Sequence, residues 1–96
     1  MIEIRKTGLF AEWLDGLRDL RARARVQVRI ERLASGLVGD VKPVGGGVSE
    51  LRIDYGPGYR VYFTKRGGAV VILLAGGDKR TQAAGIRTAV RLARNL

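Results

Sequence analysis

Arg52, Arg60 and the Lys79-Arg80 pair are the side chains of this sequence best suited to chemistry. The stretch Ser49 to Gln82, SELRIDYGPGYRVYFTKRGGAVVILLAGGDKRTQ, sets them on successive strand-like runs of one small sheet. Arg52 and Arg60 flank the Gly56-Pro57-Gly58 turn at outward positions of an apolar/polar alternation. Antiparallel pairing brings such residues to roughly 5 Å at Cβ when opposite and about 7 to 8 Å when diagonal. Two guanidinium groups that close repel unless an anion lies between them, and their planar donor forks suit a phosphate. In the competing arrangement Arg52 pairs with Glu50 or Asp54 and Arg60 points to solvent.

Gly76-Gly77-Asp78-Lys79-Arg80 passes from a strand end into a helix start, where backbone donors and the helix dipole favour an anion. It lacks the long glycine loop and terminal Lys-Ser/Thr of a nucleotide-binding phosphate loop. Tyr62 shares its strand face with Arg60, where it either packs or meets an unpaired base, and Tyr55 in the turn is a second stacking candidate. Arg18, Arg21, Arg25, Arg29 and Arg32 recur every three or four residues along one helical face. That stripe is either solvated surface or added affinity for a nucleic-acid backbone.

The elements that must position these groups follow from periodicity. Ile2 to Lys6 alternate as a short strand, and Thr7 is the expected N-cap of a helix from Leu9 to about Asp19 with Leu9, Phe10, Trp13, Leu14 and Leu17 on its core side. After a tight turn a second helix presents Ala22, Val26, Ile30 and Leu33, closed by Ser35-Gly36 and Gly39-Asp40. Asp40 to Gly47 reads as a glycine-rich loop. Two half-buried strands follow around Leu51 to Ile53 and Tyr59 to Phe63, then the wholly apolar central strand Ala69 to Ala75, ended by Gly76-Gly77. Asp78 is placed to cap a last helix with Ile86, Ala89, Val90 and Ala93 on one side. The order β-α-α-β-β-β-α predicts an α+β fold: a small antiparallel sheet with a helical hairpin and a C-terminal helix packed on it, in one domain over residues 1–96.

Composition narrows the function classes. Lys and Arg number 18 against 9 Asp and Glu, a net charge of +9, and after Asp54 the one acid is Asp78. Such a surface attracts phosphate-rich partners. A hydrophobic content of 46% excludes a disordered basic tail. With no Cys and no His there is no disulfide framework, no thiolate nucleophile, no imidazole base and no zinc finger. No cofactor is expected. The longest apolar run is too short for a bilayer and no signal-peptide core is present, so the expectation is cytoplasmic with no membrane partner.

VKPVGGGVSE (Val41 to Glu50), ELRIDYGPGYRVYF (Glu50 to Phe63) and VVILLAGGDKRTQ (Val70 to Gln82), together with FAEWLDGLRD (Phe10 to Asp19), resemble the addiction-module killer branch of the RelE/ParE toxin superfamily. The resemblance implies the toxin of a type II toxin–antitoxin system that cleaves mRNA, often in the ribosome, and inhibits growth. It also implies a cognate antitoxin, usually a small helix-turn-helix protein, that silences the toxin and forms with it a complex that represses its own operon, so that the toxin meets operator DNA only through the antitoxin complex. Arg60 of Gly58-Tyr59-Arg60 matches the arginine expected at the scissile phosphate. Arg52 occupies a basic position on the preceding strand, and Lys79 or Arg80 the one after the last strand. Where ribonuclease members carry a tyrosine or histidine, Gln82 to Ile86 offers neither.

Metal-independent RNA cleavage uses the ribose 2′-OH as nucleophile, so the protein must align it, stabilise charge on the phosphorane and assist proton transfer. The arginines and a lysine suit the second task. Proton-transfer candidates are Glu50 as base, Tyr62 as acid, or Lys79 among its cationic neighbours, with the ribosome as an alternative source. The catalytic candidates are therefore Arg52, Arg60, Lys79, Arg80, Glu50 and Tyr62. The rival readings are a non-catalytic toxin that poisons DNA gyrase and a basic nucleic-acid-binding module.

Overall fold

Thr7 accepts the Phe10 N–H at 3.1 Å and donates its own hydroxyl to the Leu74 carbonyl at 2.7 Å, so one side chain both starts the first helix and ties it to the sheet. The computed structural model describes residues 2–96. Its elements are β1 (Glu3–Lys6), α1 (Gly8–Asp15), α2 (Leu20–Ala34), β2 (Val41–Gly45), β3 (Val48–Ile53), β4 (Tyr59–Arg66), β5 (Val70–Asp78), a 3-10 turn (Lys79–Thr81) and α3 (Gln82–Arg94). The strands form one sheet in the order β1-β5-β4-β3-β2.

The α+β class and the three helices stand as read from the sequence; four details differ. The sheet is mixed, because β1 runs parallel to β5 while the other pairs are antiparallel. The supposed loop 40–47 contains β2, which pairs with β3 through a turn at Gly46 and Gly47. Proline is tolerated on such an edge strand, where it need not donate to the ladder. The first helix stops at Asp15, since Asp19 accepts from the Arg21 and Ala22 N–H groups and starts α2 instead. Gly76 and Gly77 do not end β5 but lie within it.

Two apolar layers flank the sheet. Phe10 and Leu14 of α1 and Val26, Ile30 and Leu33 of α2 pack on Leu51, Ile53, Val61, Phe63, Val71 and Leu73. On the opposite face Ala89 and Ala93 of α3 meet Val48, Tyr62, Leu74 and Ala75. Leu74 and Ala75 share that face because the β4–β5 register shifts between Tyr62 and Phe63, leaving Leu74 as the extra residue of a bulge. The shift also turns Gly76 toward Trp13, whose ring occupies the space a Cβ would need, and Gly77 toward the α3 side. Among the described residues no helix is long and apolar enough to cross a membrane.

Candidate functional site

Two rows of side chains cross the α3 face of the sheet. The inner row pairs Glu50, Tyr62 and Ala75, and the outer row pairs Arg52, Arg60 and Gly77, each residue directly opposite its neighbour. α3 covers the inner row: a Cβ on Gly85 would stand 2.6 Å from the Tyr62 ring. The outer row lies beyond the helix, beside the 3-10 turn that Asp78 starts by accepting from the N–H groups of Arg80 and Thr81.

Arg60 is held rather than displayed. Its side chain is 12% exposed, Nε lies 3.7 Å from Glu50 Oε1, and Nη1 donates to the carbonyls of Gly58 at 3.1 Å and Tyr59 at 3.3 Å. Nε is buried and, at that distance, lacks a hydrogen bond of its own. Glu50 is fully buried, and both its oxygens accept from Gln82 Nε2, at 3.1 and 2.9 Å. Among the described residues Nη2 is the guanidinium nitrogen without a hydrogen bond.

Arg52 stands opposite Arg60, but its ion-pair partner is Asp40, at 3.4 Å, rather than Glu50 or Asp54. The pair is solvent-exposed, so it yields readily to a stronger anion. Gly58, at φ +79°, brings Arg60 and Lys79 together, for a Cβ built there would lie 3.4 Å from both Arg60 Nη1 and Lys79 Cβ. Lys79 therefore adjoins Arg60, whereas Arg80 extends into solvent 3.8 Å from Asp78.

Two sequence expectations change. Tyr62 does not present its ring to a base, because it is fully buried beneath α3 with its hydroxyl donating to the Gln82 carbonyl at 3.5 Å. Burial first, then the Glu50 carboxylate beside it, push the Tyr62 phenol far above its ordinary value and disfavour ready loss of its proton. Glu50 likewise sits under Arg60 rather than at the surface. Gln82 and Asp40 were missed. Gln82 carried a signal, since the first residue of a helix packed on the Tyr62 face must approach the inner row; Asp40 carried none, because its partner is twelve residues away across a hairpin.

A surface of Arg52, Arg60 and Lys79 over a buried carboxylate can bind and polarise a phosphodiester. That arrangement joins a sheet fold whose relatives are known. Residues 12–96 match the family model described as phage derived protein Gp49-like (DUF891), and the chain belongs to that family, a family of RelE-like toxins. A Haemophilus influenzae protein described only as uncharacterized is 50% identical over 95 residues, which is 99% of this chain and 96% of the relative. The E. coli toxin RelE, solved in the free state as a double arginine-to-alanine mutant, superposes with a TM-score of 0.73. It is 17% identical, with 95% of this chain and 96% of that one covered, and so bears on the fold.

Proposed function

We propose that the chain, as one toxin domain over residues 1–96, is a cytoplasmic, metal-independent and ribosome-associated mRNA endonuclease neutralised by a cognate antitoxin. The observation that carries this reading is Arg60. A guanidinium pinned by Glu50 and two carbonyls, with Nη2 the nitrogen without a hydrogen bond and Lys79 and Arg52 beside it, is preorganised for the charge of a phosphorane. Arg60 takes the scissile phosphate, Lys79 a second oxygen, and Arg52 and Arg80 the flanking backbone. Glu50 and Tyr62 act beneath the site as supports. Alignment of the 2′-OH and proton transfer then fall to Lys79 or to groups of the ribosome.

Burial of Glu50 and Tyr62 favours one alternative, a toxin that acts by binding alone and targets DNA gyrase, because it removes both from the list of ready proton carriers. RNA 5′ ends mapped during growth arrest separate the two. The expected result is new ends inside translated codons, absent with an Arg60→Lys variant whose folding is verified by thermal unfolding. Arrest with unchanged RNA ends and gyrase-linked DNA breaks overturns the nuclease reading.

A further inference from the structure

A pocket of about 190 Å³ lies beside β5, between α1 on one face of the sheet and α3 on the other. Leu9 and Trp13 form one wall, Ala84 and Thr88 the other and Gly76 the floor, with Thr81 of the 3-10 turn beside them. β1 stops at Lys6, opposite Leu73, and Thr7 donates its N–H and its hydroxyl to the carbonyls of Leu73 and Leu74. From Ala75 to Gly77, β5 therefore pairs with β4 on one side and, among the described residues, has no strand on the other. In an antiparallel ladder alternate residues turn N–H and C=O together toward the partner strand. Either Gly76 or both its neighbours thus direct a donor and an acceptor, side by side, to the open edge.

These features fit one ligand chemistry. The room equals about six waters at roughly 30 Å³ each, which suits a single flat ring system rather than a drug-sized ligand. Trp13 supplies an aromatic wall, held in place by Phe10 and Tyr59 with ring centroids at 5.7 and 6.2 Å. Leu9, 46% exposed, adds an apolar lip. The Thr81 hydroxyl is taken by the cap with Asp78, so Thr88 is the lining hydroxyl outside that cap. A stacking face, a hydroxyl and a strand-edge donor and acceptor together read the plane and the edge of an unpaired nucleobase. An apolar side chain of a protein would use Leu9 and Trp13 but leave the polar groups unmatched. The pocket also adjoins the cationic row, since a Cβ on Gly77, the residue opposite Arg60, would stand 2.9 Å from Thr81 Oγ1. Adjacent strands lie about 4.8 Å apart, so the β5 edge is one strand spacing from Arg60. We propose that this pocket seats a base of the unpaired RNA strand whose phosphate lies at Arg60, with Trp13 and Thr88 setting the base preference. The proposal rests on the nuclease reading above and extends it from where the strand is held to which nucleotide is accepted.

Trp13 is the single tryptophan of the chain, so its fluorescence reports on the pocket directly. The full chain is titrated with 2′-O-methyl trinucleotides, which lack the nucleophilic hydroxyl and stay intact, with the same trinucleotides made abasic at one position, and with N-acetyl-leucine amide. The intact trinucleotides are expected to change the Trp13 emission and to bind at least about tenfold more tightly than the form abasic at the seated position. Ala84→Leu, a change at an exposed helix position that fills the pocket, is expected to lower the intact trinucleotide to the abasic level and to abolish the emission change. Thr88→Val is expected to alter the ranking of A, C, G and U at the seated position. Thermal unfolding verifies that both variants fold. Equal affinity of intact and abasic trinucleotides overturns the proposal, as does the absence of any trinucleotide binding or an emission change produced by the leucine amide alone. The nuclease reading fails separately, through unchanged RNA ends during growth arrest, and the uncleavable probes leave base binding measurable in that case.

Discussion

Arg60 Nε lies 3.7 Å from Glu50 Oε1 in a site where the glutamate is fully buried and the arginine nearly so. A buried charge pair of this kind is stable only while both members are present, because removing either leaves the other desolvated and uncompensated.

Arg60→Met and Glu50→Gln are each expected to lower stability by about 3 kcal/mol. The combination Glu50→Gln with Arg60→Met removes both charges and retains an amide partner for Gln82, and is expected to cost much less than the sum of the single changes. Urea unfolding of the four proteins in a double-mutant cycle measures the coupling. Additive losses would mean that the two groups do not sense each other.

Tyr62 leads to a prediction about alkaline pH. Its folded-state value lies above the ordinary phenol value of about 10, so the folded protein holds a proton that the unfolded chain has released. The resulting stabilisation is complete below about pH 10 and declines as pH rises above it. Tyr59 shifts the same way, through burial and then the Asp19 charge. A titration followed by phenolate absorbance should show the Tyr62 signal appearing together with unfolding. Tyr62→Phe should weaken this pH dependence, cost about 1 kcal/mol or less at neutral pH, and leave toxicity intact. Loss of toxicity in a folded Tyr62→Phe protein would restore the phenol to a chemical role.

Gly85→Ala opposes local preference to tertiary contact. Helix propensity alone favours alanine by about 1 kcal/mol. The added methyl would press on the Tyr62 ring, whose nearest atom is 2.6 Å from the Cβ position, and overpacking of this kind costs about 1 to 3 kcal/mol. The net expectation is destabilisation, read as a lower urea midpoint; a rise would show that α3 is not seated closely on the sheet.

Asp78→Ala should cost about 1 kcal/mol, since Asp78 accepts from Arg80 N and Thr81 N while Thr81 Oγ1 accepts from Asp78 N in return. Asp78→Asn, which keeps an acceptor, should retain most of that stability. Thermal unfolding of the two variants gives the comparison, and equal losses would point to the carboxylate charge rather than the cap.

Much of this architecture was legible in the residues. Thr7 as N-cap, the apolar stripes of α2 and α3, and the β3–β4 alternation that sets Arg52 and Arg60 on one face are local patterns, repeated over enough residues to outweigh noise. The strand β2 was not legible, because Gly45 to Gly47 and Pro43 carry loop chemistry and their pairing depends on β3. The same holds for Gly76 and Gly77, which read as strand terminators but remain in β5 because they pair with Val61 and Arg60, and are small there because Trp13 and Thr81 occupy the places where side chains would sit.

For the site, sequence by itself determined the charge, the absence of histidine and cysteine, and the cationic residues that alternation brings to one surface. Tertiary structure alone decided which of them come together. Lys79 adjoins Arg60 because Gly58 turns the chain, and Arg52 leans to Asp40 across a hairpin. Glu50 and Tyr62 lie beneath the surface because α3 comes down on Gly85. Periodicity assigns a side chain to a face, but burial and ion pairing depend on which distant element covers that face, and no local pattern carries that information.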